Sequence, residues 1–161
     1  MLQHRSFVRR STAAILLVLA AGCLKGTEPG TPSDPATETY AASLGVNLSQ
    51  MTKISNDLYI QDVIAGGGTQ ATAGKSISVT YTGWLVSGTQ FDSNVGKTAL
   101  SFPLGVGRVI PGWDLGLVGM RAGGTRRLVI GSTLGYGSDG NAPAVPGNAT
   151  LVFVVQLLSV Q

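Results

Sequence analysis

The sequence predicts an α+β fold, an antiparallel β-sheet with one short α-helix, on three observations. Short β-rich runs separated by glycine recur after residue 57. One stretch that opens with proline reads as a short helix. The composition, 43% hydrophobic and 12% charged, supplies a core and carries too little charge for a disordered chain. The 161 residues hold one domain with an extension and leave no room for a second full domain, since domains run roughly 100–200 residues.

Each element has its own signal. Leu58–Ile64 reads as a strand closed by Gly66-Gly67-Gly68. Ser76–Leu85 alternates Ile77, Val79 and Tyr81 with Ser78, Thr80 and Thr82, the two-residue period of a strand with one buried face. Ser87-Gly88 then offers a hairpin turn. Residues 111–117 form the helix: Pro111 suits its first turn, where a missing N–H loses no partner, although Gly112 and Gly116 oppose it. Thr125–Ile130 and residues 150–158 complete the strands, and no internal repeat is present. Residues 41–53, with Leu44, Val46, Leu48 and Met51, fit either packing on the domain or a short turn.

The N-terminus has the grammar of a targeting segment. Basic residues Arg5, Arg9 and Arg10 precede an apolar run over residues 13–21 that ends at Ala20-Ala21-Gly22-Cys23. That boundary resembles the lipobox of bacterial lipoproteins, which implies that Cys23 is lipidated and becomes the first residue of the mature chain. The run is about half of the roughly 18 residues a membrane span needs. A lone cysteine cannot form an internal disulfide, and two or more acyl chains give stable anchoring. Residues 24–39, rich in Pro, Gly and Thr, are expected to be an extended, disordered tether. The expected organisation is a signal peptide over 1–22, a lipidated N-terminus and flexible linker over 23–45, and a folded domain over 46–161. The expected location is the bacterial cell envelope, membrane-anchored on the periplasmic side, with the outer membrane favoured, or the cell surface.

Charge and residue types then remove whole classes of chemistry. Arg5, Arg9 and Arg10 account for the net charge of +3, so the chain from Cys23 onward is neutral and nothing in it argues for nucleic acid binding. The single histidine, His4, lies in the leader. Histidine-assisted triads, cysteine hydrolysis and His/Cys metal sites are thereby excluded from the mature chain, and no metal or cofactor is expected. Gly74-Lys75-Ser76 lacks the glycine that a phosphate-binding loop requires at position 69, where Thr69 stands. A reaction that needs no acid, base or metal remains open. Rotation about an X-Pro amide is one, its barrier of about 18–20 kcal/mol arising from amide resonance.

Several segments resemble, in order, the FKBP-type peptidyl-prolyl cis-trans isomerases. They are Val79-Thr80-Tyr81-Thr82-Gly83-Trp84-Leu85, Gly88-Thr89-Gln90-Phe91-Asp92-Ser93, Phe102-Pro103-Leu104-Gly105, Val109-Ile110-Pro111-Gly112-Trp113, Gly135-Tyr136-Gly137 and Ala149-Thr150-Leu151-Val152-Phe153. The resemblance covers residues 57–160. It implies a curved antiparallel sheet, a half-barrel, wrapped around the short helix with a proline pocket between them. Trp113 is the implied pocket floor, and Tyr81, Phe91, Phe102, Val109, Ile110 and Phe153 its walls, with core support as the other reading of Phe102 and Phe153. Asp92 and Tyr136 are the implied catalytic pair, Tyr136 donating to a substrate carbonyl and Asp92 facing the pocket beside Tyr81. The implied partners are proline-containing polypeptides in exported proteins and macrolide inhibitors such as rapamycin. The sequence departs from the family pattern at Leu100, where many members carry an aromatic wall residue, and at Asn141 and Ala144, where bulkier side chains occur. A monomer is expected, since the stretch between Cys23 and Asp57 is too short for a dimerisation domain. A second reading stays open, in which the same pocket holds a partner chain without catalysis.

Overall fold

The structure, a computed structural model, describes residues 30–161; the leader, Cys23 and the first residues of the linker lie outside the described residues. Seven strands, β1 (Thr52–Ser55), β2 (Leu58–Ile64), β3 (Ser76–Leu85), β4 (Gln90–Ser93), β5 (Leu100–Pro103), β6 (Thr125–Ile130) and β7 (Leu151–Val160), form one antiparallel sheet. Its order is β1-β2-β6-β7-β3-β4, and β5 also pairs with β3. The one α-helix among the described residues, α1 (Pro111–Gly116), lies between β5 and β6 in the chain. The expected α+β sheet with one helix is what forms, with β2, β3 and β6 at the expected bounds. The last strand begins one residue later than expected and runs two residues further.

Side-chain alternation sorts the sheet into two apolar faces. Leu58 of β2, Ile77 and Val79 of β3, Leu128 and Ile130 of β6 and Phe153 of β7 face α1 in the main core, with Trp113 and Leu117 from the helix side. Tyr59, Val129 and Val152, the intervening residues, face the other way. Glycines that looked unfavourable for α1 are what bring it onto the sheet. A Cβ at Gly116 would strike Leu128 and one at Gly112 would strike Ile130, so alanine at either place would push the helix away.

Arg126 ties the helix end to the sheet. It sits opposite Asp62 in the β2–β6 register, and its Nε and Nη2 donate to the two Asp62 carboxylate oxygens at 2.7 and 3.0 Å. Its Nη1 donates to the carbonyls of Gly116 and Val118 at 2.8 and 3.1 Å, satisfying groups that every helix C-terminus leaves open. The guanidinium is buried, and pairing plus hydrogen bonding is what makes a buried charge tolerable.

The second face is closed by a segment that the sequence assigns to linker. Three short 3₁₀ turns, Pro35–Thr37, Ala42–Leu44 and Leu48–Gln50, lay the chain across it as a strap. Leu44 and Met51 are buried against Tyr59, Val129 and Val152, and Tyr40, Val46, Leu48 and Trp84 pack around them. Polar contacts hold the strap in place. Ala41 N–H donates to the Val86 carbonyl at 2.8 Å, Arg127 Nη1 to the Gly45 carbonyl at 3.0 Å, and the buried Thr150 hydroxyl to Ser33 at 2.7 Å. This corrects the expectation of a disordered tether over 24–39 and a flexible linker to residue 45, for residues 33–45. Their Pro, Gly and Thr content disfavours regular helix or strand, but an apolar sheet face needs cover, and irregular turns supply it. Strand β1, fully exposed at the sheet edge, also carries no hydrophobic period by which to foresee it.

Candidate functional site

Between α1 and the sheet a cavity of about 410 Å³ opens to solvent. Trp113, the third residue of α1, forms its floor and is 4% exposed. The indole meets Tyr81 and Phe153 edge to face, at 4.9 and 5.3 Å between ring centroids, a favoured arrangement for aromatic quadrupoles. Val109 and Ile110, on the segment entering the helix, complete the wall.

Two expected wall residues stand behind the cavity. Phe102 is buried against Trp113 at 5.9 Å, and Phe91 packs edge to face on Phe153 at 5.5 Å, and neither lines the opening. Phe102 is core support, and Phe91, only partly buried, packs against the same core; the β3 pairing brings both to neighbouring rings. Gly83 makes this possible, since a Cβ there would run into both Phe91 and Phe153. It sits between Asp92 of β4 and Phe153 of β7 in the sheet register, and so brings carboxylate and aromatic wall to one level.

The polar groups are at the mouth. Tyr81 donates its hydroxyl to Asp92 Oδ2 at 2.6 Å. Burial raises the Tyr81 phenol well above the usual tyrosine value, and the hydrogen bond to Asp92 and that carboxylate's charge add to it, so Tyr81 stays a donor. Tyr136 comes from the loop after β6 and is held by its carbonyl, which accepts from Gly140 N–H at 3.1 Å. Burial raises its phenol too; a hydrogen bond with the Asn141 side chain works in the opposite direction, and the Asp92 charge raises it further. Asp92 and Tyr136 therefore face one cavity, as the sequence leads one to expect.

Sequence reasoning missed three supports. Asn94 accepts from the Tyr81 backbone N–H at 2.7 Å and donates to the Val79 carbonyl at 3.1 Å, bridging the gap between β4 and β5 on the β3 edge. Asp114, beside Trp113 on α1, accepts from the Gly105 and Gly107 N–H groups at 2.8 and 2.7 Å and so fixes the loop before the helix. Arg108, between that loop and Val109, lines the cavity with Leu100. None has a periodic or spacing signal; each acts through contacts that exist only once loop and sheet meet.

A family model described as FKBP-type peptidyl-prolyl cis-trans isomerase matches residues 67–158. An FK506-binding protein of Neisseria meningitidis serogroup B is 50% identical over 104 residues, covering 64% of this chain and 95% of that protein. FK506-binding protein 4 of Rhizopus delemar is 47% identical over 112 residues, covering 70% of this chain, and the chain spans only 29% of that relative's length. Among solved structures, FkpA from Escherichia coli superposes with a TM-score of 0.63 at 40% identity, over 70% of this chain and 52% of that one. AtFKBP13 gives 0.60 at 34% identity, over 65% and 93%.

Proposed function

The chain belongs to the FKBP-type peptidyl-prolyl cis-trans isomerase family, and on that premise we propose how its cavity turns X-Pro bonds and where in the cell it does so. The observation that carries the catalytic reading is the Trp113 floor under a ring of aromatic walls, with the Tyr81–Asp92 pair and Tyr136 at the mouth. A proline ring entering the cavity stacks on the indole and strips water from its amide. Twisting that amide breaks its resonance and lowers the carbonyl dipole, so a dry apolar site favours the twisted state over the solvated planar one. A thousandfold acceleration needs only about 4 kcal/mol. Tyr136 would donate to a substrate carbonyl and Ile110 would offer its backbone N–H, while Asp92 orients Tyr81 and favours the twisted amide electrostatically. No proton is transferred in any step.

The substrates in this reading are proline-containing segments of exported proteins, and the same cavity accepts macrolides of the FK506 and rapamycin type. The chain acts as a monomer at the bacterial envelope, held through Cys23 by a lipid anchor. The lipobox-like boundary and the short apolar run support that location.

Two experiments test the proposal. Isomerisation of a proline peptide by the full-length chain should persist in chelator and thiol reagent, and loss of activity with the fold intact would refute the mechanism. In fractionated cells Cys23→Ser should leave the membrane fraction, and a variant that stays there as the parent does would overturn the anchor.

A further inference from the structure

We propose that Arg108 makes this pocket selective for prolines flanked by an acidic side chain, a proposal that rests on the isomerase reading of the same cavity. The wall is aromatic and aliphatic except for two formal charges, Asp92 and Arg108. They differ in how free they are. Asp92 is engaged by the Tyr81 hydroxyl at 2.6 Å. Arg108 is exposed and, among the described residues, makes no hydrogen bond or ion pair, not even with the carboxylate across the same cavity.

Its backbone, by contrast, is fixed from both sides. Upstream, Asp114 clamps the N–H groups of Gly105 and Gly107 at 2.8 and 2.7 Å. Downstream, Val109 and Ile110 are partly buried in the core that holds Trp113. The result is a guanidinium carried on a held stem at the mouth of a proline site, its planar donor fork uncommitted. Such a fork pairs with carboxylates in bidentate fashion, which an ammonium or amide does not reproduce. Lys97, the cation that follows β4, is turned to the Ser93 carbonyl at 3.0 Å and does not line the cavity.

A substrate bound with its proline on Trp113 must carry its flanking residues across this mouth. An acidic flank then meets Arg108 and a basic flank is repelled by it; Asp92 keeps its charge but has one oxygen held by the Tyr81 hydroxyl, whereas the Arg108 fork has no partner among the described residues. Because the guanidinium stays hydrated, the preference is modest, roughly twofold to fivefold, as for exposed ion pairs. It also fades with salt.

The test uses the full-length chain and peptides that differ only in Glu, Gln or Lys directly before or directly after proline. Isomerisation is read as kcat/KM at low salt and at about 1 M, where the screening length falls to about 3 Å. The expected order is Glu over Gln over Lys at one of the two positions, compressed at high salt. Arg108→Gln should bring the Glu to Lys ratio near one, and Arg108→Glu should invert it. An unchanged ratio in Arg108→Gln, or no preference in the parent, overturns the assignment while leaving the isomerase reading intact. A parent inactive on every peptide overturns the isomerase reading instead. Peptide affinity from tryptophan fluorescence, with the same Glu to Lys comparison, then decides on Arg108 by itself.

Discussion

The two faces of the sheet are both apolar and each packs near a tryptophan, yet they are closed by different kinds of backbone, and the aromatic cavity lies on the helix side. On one face a rigid six-residue helix, pressed against β2 and β6 by its glycines and tied down by Arg126, sets Trp113 at the base of an open aromatic space. On the other a strap of 3₁₀ turns settles over Tyr59, Val129 and Val152, and Trp84 is only partly covered. Aromatic content does not distinguish them. The difference lies in what closes each face: a short helix with an open aromatic space beside it on one, and irregular turns that set Leu44 and Met51 among Tyr59, Val129 and Val152 on the other.

This contrast is open to direct tests. Trp113→Ala should abolish detectable catalysis and cost about 3–5 kcal/mol of stability, as for other buried aromatic deletions. Trp84→Ala should cost less and leave kcat/KM within about twofold of the parent. Equal catalytic losses at matched stability would mean that the faces are not independent. If Trp113→Ala fails to fold, Trp113→Leu gives the same comparison in milder form, read by peptide isomerisation and urea denaturation. Next in size, Leu44→Ala should remove about 2–3 kcal/mol by opening the strap, with kcat/KM unchanged. A matching fall in activity would show that the strap supports the pocket from behind.

Asp92→Asn and Tyr136→Phe should lower kcat/KM tenfold to hundredfold at near-parental stability, about 1.4 kcal/mol per tenfold, because their work is dipolar. Complete loss from Asp92→Asn in a folded protein would require proton transfer and end the present mechanism. The smallest expected effect is that of pH. Tyr81, Tyr136 and, within the strap, Tyr40 all have raised phenol pKa values, each chiefly through burial. Stability from these groups is fully present below the unfolded tyrosine value of about 10 and is lost as pH climbs from there toward the folded values. Denaturation midpoints should therefore be insensitive to these tyrosines from pH 7 to about 9 and fall above about 10. Tyr40→Phe should soften that alkaline fall without altering kcat/KM.

The pocket residues were legible only through the ordered family motifs, and those motifs are local. The Tyr-Thr-Gly strand, the Phe-Asp-Ser strand and the Pro-Gly-Trp helix start each carry their residues within a few positions, and strand parity turns Tyr81 and Phe153 toward the helix. Phe102 takes the core-support reading that the sequence left open, buried against Trp113, and Phe91 packs on Phe153. Only the register of β4 and β5 on β3 brings these two rings against Phe153 and Trp113.

Read along the chain alone, backbone period and proline placement gave the class of fold, the bounds of β2, β3 and β6 and the helix start, because they act over short distances, whereas the pocket residues came only through the family resemblance. Only the tertiary structure decided that residues 33–45 pack as a strap, that Asp114 clamps the Gly105–Gly107 loop and that Arg108 remains free at the mouth. Those outcomes depend on surfaces assembled from residues far apart in the chain. A segment of weak local preference takes whatever conformation such a surface rewards, and its composition cannot reveal that surface.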